Sequence, residues 1–298
     1  MKLALKVDVD TFRGTSEGVP RLVELFRRHG AGATFLFSLG PDNTGRALRR
    51  AFRPGFFSKV QRTSVVKHYG VKTLLYGTLL PGPDIGKRCA ATLRNVRAAG
   101  FEVGIHCWDH VRWQDGVAAA DADWTEKQML YSLDRFREIF GFDAKTYGAA
   151  GWQTNRHAAW VEEQRFEYAS DVRGRTPFLP LWNGVRIGCA QLPTTLPTLD
   201  ELIGLDGIDE ANVSSFLLKR TESPGDHVFT AHAELEGARL LPAFDALLAG
   251  WKDQGYELVS MRTYFQSLDA ANLPRCEVVY GDIPGRSGTL ALQAQDSA

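Results

Sequence analysis

At 298 residues with 44% hydrophobic composition, the chain can fill one large core, and α/β barrels of this size are routinely a single domain. Its 35 Lys and Arg balance 35 Asp and Glu, so overall charge gives no footing for nucleic acid or another polyanion, and any charge argument has to be local. The four cysteines, Cys89, Cys107, Cys189 and Cys276, form no CxxC and suit a reducing compartment. Met1 to Asp8 holds no signal-peptide core, and no apolar stretch reaches the roughly 20 residues of a membrane span. A cytoplasmic protein is expected, with peripheral membrane contact left open.

Leu3 to Val9 predicts a buried strand, and Gly18 to His29 a helix with Val19, Leu22, Val23 and Phe26 on one face and Gly30 closing it. Ala33 to Leu39 is the next strand, and strand-helix-strand implies a parallel sheet. A barrel is favoured over an open sheet, because chemistry-bearing residues recur at strand ends and no phosphate-binding glycine fingerprint is present. Residues 43–83 form a basic amphipathic insertion. It carries Arg46, Arg49, Arg50, Arg53, Lys59, Arg62, Lys67 and Lys72 among leucines and aromatics, with no Asp or Glu. Such a mixture suits an anionic, partly apolar surface; the plainer reading is a packed insertion with solvated charges.

Gly86 to Ala99 predicts a helix, Phe101 to Ile105 a strand, Trp124 to Phe140 a helix ended by Gly141, and Ala144 to Tyr147 a short strand. The small residues from Gly148 to Gly151 make a turn where the backbone can approach something closely. Tyr168 to Asp171 is another strand end bearing an acid. The prolines between Thr176 and Leu199 predict loops shaping a cleft rim, with short strands near Val185 to Ile187 and Ala190 to Leu192. Asp209 to Lys219 and Leu240 to Gly250 are helices, and Tyr256 to Ser260 is the last expected strand. Residues 1–270 then make one catalytic domain, and 271–298 a loose tail.

Three apolar runs finish on chemistry: Asp8-Val9-Asp10, the HxxxH pair His106 and His110, and His232. Strand C-terminal ends in α/β folds share one face, so one pocket can hold them all. Asp10, His106 and His110 give three ligands to one divalent metal, with positions left open for water and substrate. Two His and one carboxylate suit zinc first, with cobalt, nickel, manganese and iron as alternatives. Asp8 shares the face of Asp10 and is the candidate general base, and His232 the general acid that protonates a departing amine. Taken singly, either Asp is more often a cap and His232 more often a buried structural histidine; their joint occurrence at successive strand ends argues for a site. Asp109 is expected outside the ligand set.

These residues resemble the polysaccharide deacetylase, or NodB homology, family. The resemblance covers about Leu3 to Ser260 and implies an irregular (β/α) barrel with fewer than eight regular strands. It also implies metal-dependent removal of an acyl group from an amino sugar. Val7 to Thr15, Gly40 to Asn43, Gly148 to Trp152, Ser170 to Gly174, Leu196 to Thr198 and Ala231 to Gly237 further resemble one branch, bacterial deformylases of 4-deoxy-4-formamido-L-arabinose-phosphoundecaprenol. That branch implies a lipid-linked amino sugar substrate, a peripheral position at the cytoplasmic face of the inner membrane, and a place in lipid A modification and resistance to cationic peptides such as polymyxin. The resemblance makes Asp171 the residue that orients His232, and Trp152, Arg173 and Arg13 candidate substrate contacts. Gln153 stands where the family's third motif places an Arg that holds the base Asp, so either a cation such as Arg173 or Arg175 replaces it or the base is tuned differently. Two other readings stand beside this one: a soluble N-deacetylase or amidase acting on another amide, and a non-catalytic metal-bearing protein that binds lipid-linked sugars.

Overall fold

The computed structural model describes residues 1–47, 71–286 and 288–294. The centre of the basic stretch, 48–70, and residues 295–298 of the expected tail lie outside the described residues. The main sheet is built on β1 (Lys2–Val9), whose alternate residues Leu3, Leu5, Val7 and Val9 enter the larger apolar core. Along one edge β1 pairs in parallel with β9 (His227–His232). Along the other it meets β10 (Glu257–Ser260) over Lys2 to Leu5 and then β2 (Thr34–Ser38) over Lys6 to Val9. Parallel pairing continues through β3 (Glu102–Cys107), β4 (Thr146–Tyr147), β5 (Tyr168–Ala169) and β8 (Ala190–Gln191). Beyond β8, the N–H groups of Thr195 and Leu196 donate to Val228 O of β9 at 3.0 and 3.3 Å, so the sheet curls back toward its own starting edge. β4, β5 and β8 are only two residues each, which gives the expected irregular barrel with fewer than eight regular strands.

The helices pack outside the curl because their apolar stripes match the outward faces of the strands. Val19–His29 buries Leu22 and Phe26 and ends on Gly30, whose φ of 62° is the left-handed cap that glycine adopts without a Cβ penalty. Asp121 caps Ala122–Phe140 by accepting from Trp124 N at 2.9 Å. Inside the curl, Ala4, Tyr168, Ala190, Val228 and Val259 form a separate apolar layer, closed by Met261 and Tyr264 of the helix Met261–Gln266. Lys6 and Asp8 follow Ala4 on the same inward face of β1, so the interior changes from apolar to polar along that strand.

The expected loose tail is corrected by the structure. β11 (Arg275–Gly281) pairs in parallel with β6 (Leu179–Trp182) and antiparallel with β12 (Leu290–Gln293), while β7 (Val185–Arg186) pairs with β6. Among the described residues of this hairpin only Val278, Leu290 and Ala291 are buried, too few to show a period in the sequence. Its partner β6 contains Pro180, which the chain tolerates in this short strand and which made the region look irregular. Among the described residues no helix is long and apolar enough to cross a membrane.

Candidate active site

Asp10 follows the end of β1, His106 is the penultimate residue of β3, and His110 opens the helix His110–Gly116. Between the two histidines the chain turns from strand to helix, and Asp109 caps that helix through Arg112 N at 3.0 Å. Asp109 is therefore a buried cap outside the ligand set, and its other oxygen accepts from Asn43 Nδ2 at 2.6 Å. His106 Nε2 lies 3.2 Å from Asp10 Oδ1 and His110 Nε2 lies 3.3 Å from Asp10 Oδ2. One ligand atom from each of the three residues falls within 4.8 Å of the others.

His106 Nδ1 is 2.6 Å from Gly148 O. A carbonyl can only accept, so Nδ1 carries the hydrogen and Nε2 turns its lone pair toward Asp10 and His110. Burial alone would raise the Asp10 carboxyl, but the charges of His110 and His106 outweigh it and hold Asp10 far below the usual carboxylate range. Burial opposes a charged His106, while Asp8 and Asp10 favour it more strongly and raise its pKa. Asp10 Oδ1 and Asp8 Oδ1 are buried without a hydrogen-bond partner. Two imidazoles with an ionised carboxylate, one oxygen of it unsatisfied, fit a divalent cation.

Asp8 and His232 occupy matched positions on the neighbouring strands β1 and β9, so their side chains stand on the same face. Asp8 Oδ2 is 3.4 Å from Lys6 Nζ. His232 Nδ1 is 3.9 Å from Asp200 Oδ1, and the indole of Trp152 meets the His232 ring edge-on at 6.2 Å. A carboxylate and an imidazole beside a cation-binding triad are the parts needed to remove a proton from water and return one to a leaving group.

No protein-family model matches the chain. Over 301 residues it is 39% identical to the Shewanella sediminis (strain HAW-EB3) protein named "Probable 4-deoxy-4-formamido-L-arabinose-phosphoundecaprenol deformylase ArnD", covering 98% of this chain and 95% of that one. The chain belongs to this deformylase family. A second relative of the same name, from Wigglesworthia glossinidia brevipalpis, is 31% identical over 283 residues, 94% of this chain and 98% of its own. The deformylase is accordingly an amide hydrolase. Its fold is shared with a solved protein from Mycobacterium smegmatis described as a polysaccharide deacetylase, at a TM-score of 0.63 and 17% identity over 95% of this chain and 94% of that one.

Within this deformylase, Asp171 and the cation expected beside Asp8 are placed differently from the sequence reading. Asp171 does not face His232: its oxygens accept from Ala149 N at 2.7 Å and Gln191 Nε2 at 2.6 Å, and the carboxylate opposite His232 is Asp200. Asp171 leaves the short strand β5 pointing toward the Gly148 turn, whereas Asp200 enters from the helix Leu199–Leu202 beside β9. Arg173 is buried and engaged internally, at 2.5 Å to Glu201 and with the carbonyls of Thr194 and Leu196. Arg175 is exposed. The cation beside Asp8 is instead Lys6, fully buried, and Gln153 turns away to donate to Thr289 O at 2.5 Å. Arg13 is half-buried and paired with Glu17 at 3.0 Å. Trp152 is buried, with the cations of Lys6, Arg173 and Arg286 at 5.4, 5.0 and 4.7 Å from its ring, and is held at φ 52°, an uncommon conformation for a bulky residue.

Glu234 was missed by sequence reasoning. Its Oε1 accepts from Asp10 N at 2.9 Å, Thr11 N at 2.6 Å and Thr11 Oγ1 at 2.8 Å, and so fixes the loop that carries Asp10. Burial, with Asp10 adding to it, pushes the Glu234 carboxyl well above its ordinary range. Glu236 accepts from His232 N at 2.7 Å and is pushed by burial to about 8. The available signal was two acids directly after His232 at a strand end. Asp42 does similar work on the other side, accepting from Phe12 N at 2.8 Å.

Proposed function

We propose that this chain is the metal-dependent deformylase that hydrolyses the N-formyl group of undecaprenyl-phosphate-linked 4-deoxy-4-formamido-L-arabinose. Formate and the free aminoarabinose lipid are the products, and the step belongs to lipid A modification and resistance to cationic peptides. The observation that carries this reading is the matched pair Asp8 and His232 beside Asp10, His106 and His110, in a chain similar to named deformylases over nearly its whole length.

Asp10, His106 and His110 would hold the ion, with zinc the best match to their donor set. Such an ion polarises the formyl carbonyl and acidifies a water molecule when bound. Asp8 takes the proton from the attacking water as its oxygen bonds to the formyl carbon, and Lys6, 3.4 Å from Asp8 Oδ2, holds that carboxylate in place. As the carbon–nitrogen bond breaks, His232 gives a proton to the departing nitrogen. Trp152 walls the site behind His232 and excludes water there. A polyprenyl substrate stays in its bilayer, so the reading places the enzyme peripherally on the cytoplasmic face of the inner membrane. The exposed Leu79 and Leu80, at the end of the basic stretch, suit such a surface.

The test is formate release from synthetic polyprenyl-phosphate formamido-arabinose, with a chelator and His106→Ala as controls. Formate that both controls abolish supports substrate and metal together; bound metal with no formate removes the substrate assignment and turns the test to acetylated sugars.

A further inference from the structure

The connection between β11 and β12 reaches back onto the catalytic face. Gly285 passes so close to the helix Leu199–Leu202 that a Cβ there would lie 2.2 Å from Glu201 O, and its φ of 85° is itself a glycine conformation. The next residue, Arg286, donates from Nε to Glu201 Oε1 at 2.8 Å and from Nη2 to Thr198 Oγ1 at 3.3 Å, and its Nη1 lies 3.5 Å from Asp200 Oδ2. Its guanidinium covers the Trp152 ring on the way. The other oxygen of Asp200 accepts from Thr198 Oγ1 at 2.6 Å and is the one that faces His232 Nδ1, a buried nitrogen with no hydrogen-bond partner.

We propose that the β11–β12 hairpin completes the active site, with Arg286 as the positioning residue that clamps the Thr198–Glu201 turn and holds Asp200 against His232. The proposal rests on His232 being the general acid. At 3.9 Å the Asp200 to His232 contact is longer than a hydrogen bond, as catalytic contacts commonly are before substrate arrives. Asp200 then accepts from Nδ1–H of His232 and fixes the ring so that, when both nitrogens carry hydrogen, Nε2–H points at the leaving nitrogen; giving up that proton leaves the Nδ1–H tautomer.

The position of Gln153 now has a structural explanation. Its amide holds Thr289 O, the Tyr280 hydroxyl donates to Thr154 O, and Arg173 exchanges backbone hydrogen bonds with Ala291 and Gln293 at 3.0 and 2.8 Å. Three separate attachments thus fasten the hairpin to the turns that follow β4 and β5. A substrate-anion role for Arg286 fits less well, because Arg173 and Arg286 face Asp200 and Glu201, and the four charges cancel.

The experiment compares Arg286→Ala, Arg286→Lys and Asp200→Asn in the full-length, metal-loaded protein. Formate release from the lipid-linked substrate is measured together with the imidazole nitrogen shifts of His232 by NMR, assigned with His232→Gln. Arg286→Ala and Asp200→Asn are expected to lower kcat roughly 10- to 100-fold, part of what a positioned general acid contributes, with KM within about twofold of wild type. Added guanidinium should restore part of the Arg286→Ala rate. In both variants the His232 tautomer should shift away from Nδ1–H, a readout that stands even if the wild type releases no formate and the substrate assignment fails. A raised KM with unchanged kcat would make Arg286 a substrate contact and overturn the proposal, as would an unchanged His232 tautomer in Asp200→Asn. If Arg286→Ala does not fold, Asp200→Asn decides the matter alone.

Discussion

Replacing Lys6 by Met removes one charge and three donors while keeping a stem of similar length in the strand. Lys6 is fully buried, and its Nζ has Asp8 Oδ2 at 3.4 Å, Ser170 O at 3.2 Å and the Trp152 ring at 5.4 Å. Taking one partner from a buried ion pair typically costs about 3–5 kcal/mol, because the other charge is left without compensation. The other Asp8 oxygen is buried without a hydrogen-bond partner, and the His106 ring beside it, at 3.8 Å, is already committed to Gly148 O through the same nitrogen. Either the fold loses that energy, or Asp8 turns to another partner and is no longer aimed at the attacking water. About 3 kcal/mol of lost base function corresponds to roughly a 10²-fold fall in kcat. The assay is formate release with melting temperature and bound metal measured on the same preparation. Metal content should hold, since Asp10, His106 and His110 are untouched, and Lys6→Arg should recover much of the rate. Wild-type kcat and melting temperature in Lys6→Met would refute the reasoning and remove Lys6 from the account of Asp8.

In the native protein Glu236 has a pKa of about 8 against an unfolded value near 4.5, so the folded state binds the extra proton between them and stability falls as pH rises through that window. The slope is at most about 1.4 kcal/mol per pH unit, and Glu236→Gln should flatten the decline in melting temperature between about pH 5 and 8. A Cβ on Gly14 would sit 2.1 Å from Glu234 Oε1, so Gly14→Ala should push Glu234 off Asp10 N and weaken metal retention by about 10- to 100-fold, measured by metal titration with the far-UV spectrum unchanged. Cys89, pushed up to about 11 by burial, and the buried Cys107 and Cys189 should resist alkylation in the native state, whereas the half-buried Cys276 should react first, as peptide mass mapping will show.

Asp10, His106, His110, Asp8 and His232 were legible because parallel strands are local apolar runs and their C-terminal ends necessarily share one face. The alternation Ala4, Lys6, Asp8 was equally present in the letters and placed Lys6 on the inward face of β1. The family's third motif points instead to Gln153, Arg173 and Arg175 for the cation beside Asp8, and only the fold brings Lys6 to it. Asp171 and Asp200 could not be told apart on sequence grounds: both are acids near short strands, and which one faces His232 depends on how β5, β8 and the helix Leu199–Leu202 pack around β9. Glu234 and Arg286 depended still more on long-range placement, since their partners lie 224 residues away at Asp10 and 85 residues away at Glu201. Local sequence thus determined the strands of the main sheet, helices such as Val19–His29 and Ala122–Phe140, and the residues that end them, through periodicity and caps. Tertiary structure alone decided which buried charges meet, because the cost of an unpaired buried charge is met by whatever partner the folded chain brings within reach, however distant it is in sequence.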